Sequence, residues 1–284
     1  MSFSVSMCVY GGDNPEHFDI AVGSIAEQTV KPDELVLTVD GPIPSETEAV
    51  IKKYCGIMQE KGIRFRVLRL KKNMGHGIAR RVGIKKCSHD IIAIMDADDI
   101  AVPTRFEKQI AYLTAHPEVA IVGGCITEFI NDESDARNVQ HIAGRRIVPS
   151  TDEEIKRYMQ KRCPMNQMTV VFRKKDILEV GGYRDWFCNE DYFLWIRLAA
   201  AGKIFGNIDE SLVLVRVGKE MYERRGGWKY FKSEAKLQTL MHRKGMTSFG
   251  RYAVNVGERF VLQVMMPNRI RGIIFQKFAR EREA

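Results

Sequence analysis

No stretch of the 284-residue chain reaches eighteen consecutive apolar residues, so no helix is predicted to span a membrane. The first nine residues lack the basic start and long apolar core of a signal peptide and read as a first strand. No Cys-x-x-Cys pair occurs. The cysteines, at 8, 55, 87, 125, 163 and 188, are scattered, which argues for reduced thiols in the cytoplasm and against a zinc site or disulfide framework. No Gly-x-x-x-x-Gly-Lys-Ser/Thr occurs, so a P-loop is excluded. Gly75-His76-Gly77-Ile78-Ala79-Arg80 starts like a dinucleotide fingerprint, but Arg80 stands where the third glycine belongs, so a dehydrogenase is unsupported. The formal charge of +8 comes without the aromatic–basic interleaving of an RNA reader, and no nucleic-acid partner is expected. The basic surface is left to face anionic lipid or an anionic small substrate.

What is present suits a large core. The chain is 45% hydrophobic, which makes disorder unlikely, and its length fits one large domain or a domain plus an appendage. The first half alternates strand and helix signals. Strands are expected at 5–10, 35–39, 65–70 and 91–95, with helices at 20–28, 46–61 and 73–86. This order predicts a mainly parallel α/β sheet with helices on both faces, and places Tyr10, Asp40 and Asp96 along one edge at the strands' carboxyl ends. The second half is less regular. Strands are expected at 119–130, 168–172 and 212–217, a polar loop at 131–144, and a helix at 190–201 capped by Asn189. From 228 onwards the chain reads as helical.

Asp96-Ala97-Asp98-Asp99 is the most informative motif. It closes the apolar run 91–95 and sits where open α/β sheets bind ligands. Three carboxylates there need a cation or water, and hard oxygen ligands suit Mg²⁺ or Mn²⁺, especially one shared with a diphosphate. Taken alone, the tetrad reads equally well as a solvated acidic turn. The glycine-rich turn at 73–77 opens a helix whose N–H groups suit a phosphate; an ordinary tight turn is the competing reading. Asn189-Glu190-Asp191 reads as acids in a helix's first turn, where the dipole keeps a carboxylate ionised and ready to accept a proton.

Together these pieces resemble the family 2 glycosyltransferases with the GT-A fold, over roughly residues 3–220. Val5 to Tyr10 is similar to the family's first strand, Ser24 to Thr29 to its first helix, and Glu34 to Gly41 to its second strand. Asn73 to Arg80 is similar to its Asn-x-Gly-x-x-x-Ala-Arg segment, and the acidic tetrad to its metal motif. Gly181-Gly182-Tyr183 followed by Asn189-Glu190-Asp191-Tyr192 is similar to its acceptor-side motif. Each motif alone is weak; five in order are strong. Two departures stand out. Asp40-Gly41-Pro42 carries one acid where the family often has Asp-Asp-Gly-Ser, and the stretch around Arg216 lacks the family's histidine. Within the family, the resemblance is greatest to bacterial enzymes of exopolysaccharide, capsule or O-antigen synthesis.

The resemblance implies an inverting transfer of a sugar from a nucleotide diphosphate, UDP by family habit, to an acceptor hydroxyl, with Mn²⁺ or Mg²⁺ as cofactor. It implies metal ligation by Asp98 with Asp96. Donor binding falls to Tyr10, Asp40, Asn73, Gly75, Arg80, Asp96 and Asp99. Asp191 is the first choice of base and Glu190 the second. Trp186, Tyr192 and Arg216 are acceptor-side candidates, with core packing the competing reading for the two aromatics. Residues 1–225 form the catalytic domain, with a nucleotide-binding half to 100 and an acceptor half from 101. Residues 226–284 form a helical segment in which apolar residues mix with arginines over 249–278. That mixture fits peripheral contact with the inner face of the cytoplasmic membrane, near a lipid-linked saccharide acceptor. Packing on the catalytic domain is the alternative. A non-catalytic nucleotide-sugar-binding or scaffold subunit of the same fold is the competing function.

Overall fold

The computed structural model describes residues 1–130, 135–218 and 226–266. β1 (Phe3–Tyr10), α1 (Pro15–Ala26), β2 (Glu34–Asp40), α2 (Ser45–Glu60), β3 (Arg64–Arg69), α3 (His76–Lys86) and β4 (Ile91–Met95) follow in turn. β2 and β4 are buried throughout and β1 nearly so, which is why all three read as near-continuous apolar runs. The four strands are parallel, in the order β3-β2-β1-β4. Tyr10 pairs with Asp40 and Met7 with Met95, so Tyr10, Asp40 and Asp96 emerge at one edge.

The second half contains β5 (Ile100–Ala101), α4 (Arg105–Ala115), β6 (Val119–Ile130), β7 (Ile142–Arg146), α5 (Asp152–Met159), β8 (Val171–Arg173), α6 (Lys174–Glu179), α7 (Glu190–Ala200) and β9 (Ile204–Val217). The sheet continues β4-β8-β6-β9-β5, with β7 on β6. β8 runs antiparallel to both its neighbours, while β6 and β9 are parallel. One core layer joins β1 and β2 to α1, α2 and α4 through Val5, Leu37, Phe18, Ile51 and Phe106. The other sets Ile92, Ile94 and Phe172 against Ile84, Ile155 and Trp195 of α3, α5 and α7. The result is an α/β sheet covered on both faces, as the resemblance implies.

Several sequence expectations need correction. α1 begins at Pro15, because the Asn14 side chain accepts from the N–H groups of Glu16 and His17. Residues 167–169 form a 3-10 turn, not strand, since Thr169 bonds back to Asn166 O at 2.7 Å. β9 starts eight residues before the expected strand, and its polar stretch 207–210 falls where its register with β6 shifts. Of the expected loop 131–144, residues 131–134 lie outside the described residues, and Ile142–Arg146 is strand. The carboxyl-terminal part is helical as expected up to 266: α8 (Gly227–Arg243), α9 (Phe249–Phe260) and a π-helical turn, Val261–Met265. Leu237 and Met241 of α8 join the Trp195 core. The remainder of the 249–278 segment lies outside the described residues.

Candidate active site

The edge where β1, β2 and β4 end is built by short polar links between consecutive crossings. The Asp40 carboxylate accepts from the N–H groups of Met74 at 2.7 Å and Gly75 at 2.9 Å, so it ties the 73–75 turn to the strand end. Gly41 lies at φ +89°, and a side chain there would stand 2.5 Å from Asn73 N. Only glycine allows that approach. The Asn73 side chain also accepts from Gly75 N–H. A cavity of about 180 Å³ opens here, lined by Cys8, Tyr10, Asp13, Asp40, Asn73 and His76, among others. The Tyr10 and His76 rings meet edge to face at 6.1 Å. A larger cavity of about 750 Å³ lies between α1, α2 and 135–137, where Lys53 pairs with Asp19 at 2.6 Å.

Arg80 joins the two halves of the molecule. It is buried on α3, donating from Nη2 to Asp96 Oδ1 at 2.8 Å and from Nη1 to Glu190 Oε1 at 2.6 Å. Burial disfavours its charge, but the two carboxylates outweigh burial and hold the guanidinium more basic than usual. α3 reaches this place because Gly77 lets it pack against the 181–185 turn; a side chain at 77 would stand 2.6 Å from Arg184 O. Gly181 and Gly182 both take positive φ, and Arg197 donates to the carbonyls of Val180 and Gly182. The Gly-Gly-Tyr motif is thus a rigid turn, with Tyr183 buried against Gln167.

The acidic tetrad divides its work. Asp99 is buried, and its carboxylate accepts from Arg216 N–H at 3.1 Å, fixing the end of β9. Arg216 also donates from Nε to Asp98 O at 2.9 Å, and to Ala136 O. The Asp98 carboxylate is open to the cleft, yet enough protein surrounds it that desolvation, with the Asp96 charge, raises its pKa to about 6. Asp13, which accepts from Tyr10 N–H at 2.9 Å, is raised to about 7 by burial and by the charges of Asp98 and Asp96. Burial and the same neighbours raise Asp99 well above the usual carboxylate range.

Across Arg80 from the strand ends, Asp191 lies in the first turn of α7. One carboxylate oxygen accepts from Tyr192 N–H at 2.7 Å, and the other lies 3.7 Å from Cys163 Sγ. Burial, then the Glu190 charge, raises Asp191 to about 6, against the opposing pull of Arg80 and Arg146. Asn189 does not cap α7; its amide lies 3.2 Å from Ser233 Oγ on α8.

The sequence profile described as Glycosyl transferase family 2 matches residues 4–181. The chain belongs to glycosyltransferase family 2. It is 34% identical over 98% of its length to the Escherichia coli UDP-Gal:alpha-D-GlcNAc-diphosphoundecaprenol beta-1,3-galactosyltransferase, covering 96% of that protein. It is 33% identical over 97% of its length to the amylovoran biosynthesis glycosyltransferase AmsE of Erwinia amylovora, covering 98% of it. Among solved structures, the mannosyltransferase PcManGT of Pyrobaculum calidifontis, in complex with GDP-Man and Mn²⁺, superposes with a TM-score of 0.62 at 13% identity, over 95% of this chain and 71% of that one.

Most of the sequence-derived candidates of this glycosyltransferase gather around the ends of β1, β2 and β4. Tyr10, Asp40, Asn73, Gly75, Arg80, Asp96 and Asp98 surround the strand ends. Arg80 holds two carboxylates rather than standing free for phosphate, and Asp99 is engaged by backbone. Tyr192 is core: it is 1% exposed and its hydroxyl donates to Met159 O, so the acceptor expectation fails there. Trp186 is half-buried and stacks on Phe193 at 4.1 Å. Asp13 has no motif to mark it; it follows the end of β1 by three residues, whereas Asp40 is the last residue of β2. Cys163 and Ser233 carried no sequence signal. Among the described residues no three-ligand metal cage is preformed. The residues nonetheless fit a hard divalent cation: the donors are all carboxylate oxygens, and a cation would offset both the burial and the mutual repulsion that raise Asp13 and Asp98.

Proposed function

We propose that this glycosyltransferase transfers a sugar, with inversion, from a UDP-sugar to a hydroxyl of a lipid-linked saccharide in bacterial surface polysaccharide synthesis. The UDP and lipid-linked assignments draw support from the printed activity of the Escherichia coli relative, and the pathway from the Erwinia relative. The observation that carries the reading is Arg80, whose two ion pairs lock the helix bearing Asp191 against the strand end bearing Asp96 and Asp98. This supports a donor bound at the strand ends with the base across Arg80 from it.

The Tyr10–His76 cavity suits a nucleobase, with Asp13 and Asp40 as hydrogen-bond partners. Asp98, with Asp96, would hold Mn²⁺ or Mg²⁺ together with the donor diphosphate. The bound ion supplies charge stabilisation to the departing diphosphate. Glu190 is committed to Arg80, so Asp191 is the base. As the acceptor oxygen bonds to the anomeric carbon, the carbon–oxygen bond to the diphosphate breaks, and the acceptor proton passes to the Asp191 carboxylate. Nucleoside diphosphate leaves from the opposite face, which inverts the centre. A pKa near 6 keeps Asp191 ionised at neutral pH and basic enough to accept a proton. The enzyme works as a peripheral protein at the inner face of the cytoplasmic membrane.

Asp191→Asn is the test. Turnover with a lipid-linked acceptor is expected to fall about 10³-fold while donor affinity stays within about twofold. Unchanged turnover would remove Asp191 from the mechanism.

A further inference from the structure

The most deeply buried side chains of α9 are polar. Its buried positions are Asn255 and Arg259, continued by Gln263 one turn later, all polar. Val254, Val261 and Met265 face outward at 55%, 49% and 66% exposure. A helix of a water-soluble fold hides its apolar stripe instead. Specific bonds hold this arrangement. Arg259 Nε donates to Glu234 Oε2 at 2.6 Å, and Asn255 Nδ2 donates to Gln160 O at 2.7 Å and Gln238 Oε1 at 2.9 Å. Satisfying these polar groups leaves the apolar face outside.

The outward face continues onto α8. Trp228, 56% exposed, meets Phe231 and Phe260 edge to face at 5.6 and 5.8 Å. Lys229 Nζ stands 4.0 Å over the ring of Phe187, which is 40% exposed. Over 226–266 the exposed charges are Lys229, Lys232, Lys236, Arg243, Lys244 and Arg251 against Glu258 alone. Two copies of so cationic a segment would repel, whereas an anionic surface would attract it. No described helix is long and apolar enough to cross a membrane. Exposed tryptophan and aliphatic residues with lysines beside them are the composition of an interfacial helix.

We propose that the outward face of α9, its π-helical turn and the start of α8 docks on an anionic lipid bilayer. The surface lies beside the acceptor side of the cleft. Ser233 of α8 donates to Phe187 O at 2.7 Å, and Phe187 stands three residues before Glu190. Docking would present the base helix to an acceptor carried in that bilayer; this purpose rests on the proposed reading, while the docking itself does not.

Co-sedimentation of the full chain with vesicles tests it. One set contains one-third phosphatidylglycerol in phosphatidylethanolamine and the other is pure phosphatidylcholine, both at about 0.1 M salt. Wild type is expected to bind the anionic vesicles and bind the neutral ones at least about tenfold more weakly. Val261→Glu with Met265→Glu is expected to weaken anionic binding about tenfold or more, with unchanged thermal unfolding because both positions are exposed. Lys229→Glu with Lys232→Glu, a second variant, should erase the preference for anionic lipid. Both double variants should keep wild-type transfer to a short-chain, detergent-soluble acceptor. Absence of vesicle binding by wild type, or equal binding by the variant carrying Val261→Glu and Met265→Glu, overturns the proposal. So does a dimer that this double substitution dissolves without any vesicle binding. Vesicle binding by a protein that transfers no sugar would leave the docking surface standing and bring down the transfer reading.

Discussion

The two ends of the parallel sheet treat their carboxylates in opposite ways. At the amino-terminal end of β2, Glu34 is fully buried, yet it accepts from Ser4 Oγ, Ser88 N–H, Ser88 Oγ and Arg66 within 2.7–3.1 Å. Burial works against its charge, and these donors outweigh burial, so its pKa lies below the usual value. At the carboxyl-terminal end, burial first and neighbouring carboxylate charges second raise Asp13 and Asp98, and Asp98 rises despite Arg216 and Arg80 nearby. The first carboxylate is matched within the fold. The second group lacks such a set of donors, which is why a cation is proposed there. Burial pushes all three acids up, and only Glu34 has donors enough to outweigh it.

The contrast breaks most visibly at Glu34. Glu34→Ala takes the acceptor from the buried Ser88 N–H and one partner each from Ser4 Oγ and Arg66, which keep His89 and Lys86 O, and is expected to cost about 3 kcal/mol in denaturant unfolding. Donor affinity of the folded fraction should not change. Asp98→Asn is the opposite case. It removes repulsion and leaves no buried donor unpaired, so thermal stability should hold or rise, while metal-assisted donor binding falls about 100-fold. A loss of stability in Asp98→Asn as large as in Glu34→Ala would erase the distinction.

A subtler effect belongs to Asp191. Its pKa is near 6 in the folded protein, above the ordinary 3.8, so the folded state holds a proton that the unfolded state has released. Its contribution to stability is complete below about pH 3.8 and is lost as pH rises through 6. Activity runs the other way and should fall as pH drops through 6, when the base becomes protonated. Asp191→Asn should flatten the stability slope between these pH values, read from unfolding curves across the window. An unchanged slope would mean that Asp191 is not the group held protonated.

The parallel half was legible because burial on both faces makes its strands continuous apolar runs, and the carboxyl ends then follow from chain order. Asp13 lies three residues past the end of β1 and lacks a motif of its own. Beyond β5 the reading weakened. β9 hides its polar stretch 207–210 in a register shift, and the 167–169 turn is set by the distant Gly124 N–H bonding Thr169. Tyr192 was read from a motif that fixes α7, not the direction of each side chain. Adjacent helix positions point about 100° apart, and that rotation sends Tyr192 into the core while Asp191 stays beside Cys163. The pairing of Arg80 with both Asp96 and Glu190 spans 110 residues in sequence and no local pattern encodes it.

Calorimetric titration of UDP into wild type and Asp98→Asn, with and without Mn²⁺, tests the central claim most directly. Wild type is expected to bind UDP at least about tenfold more tightly with Mn²⁺, and Asp98→Asn to lose that gain. Equal affinity with and without the ion, or a full Mn²⁺ effect in Asp98→Asn, would contradict the account of the strand-end carboxylates as the place where cation and diphosphate meet.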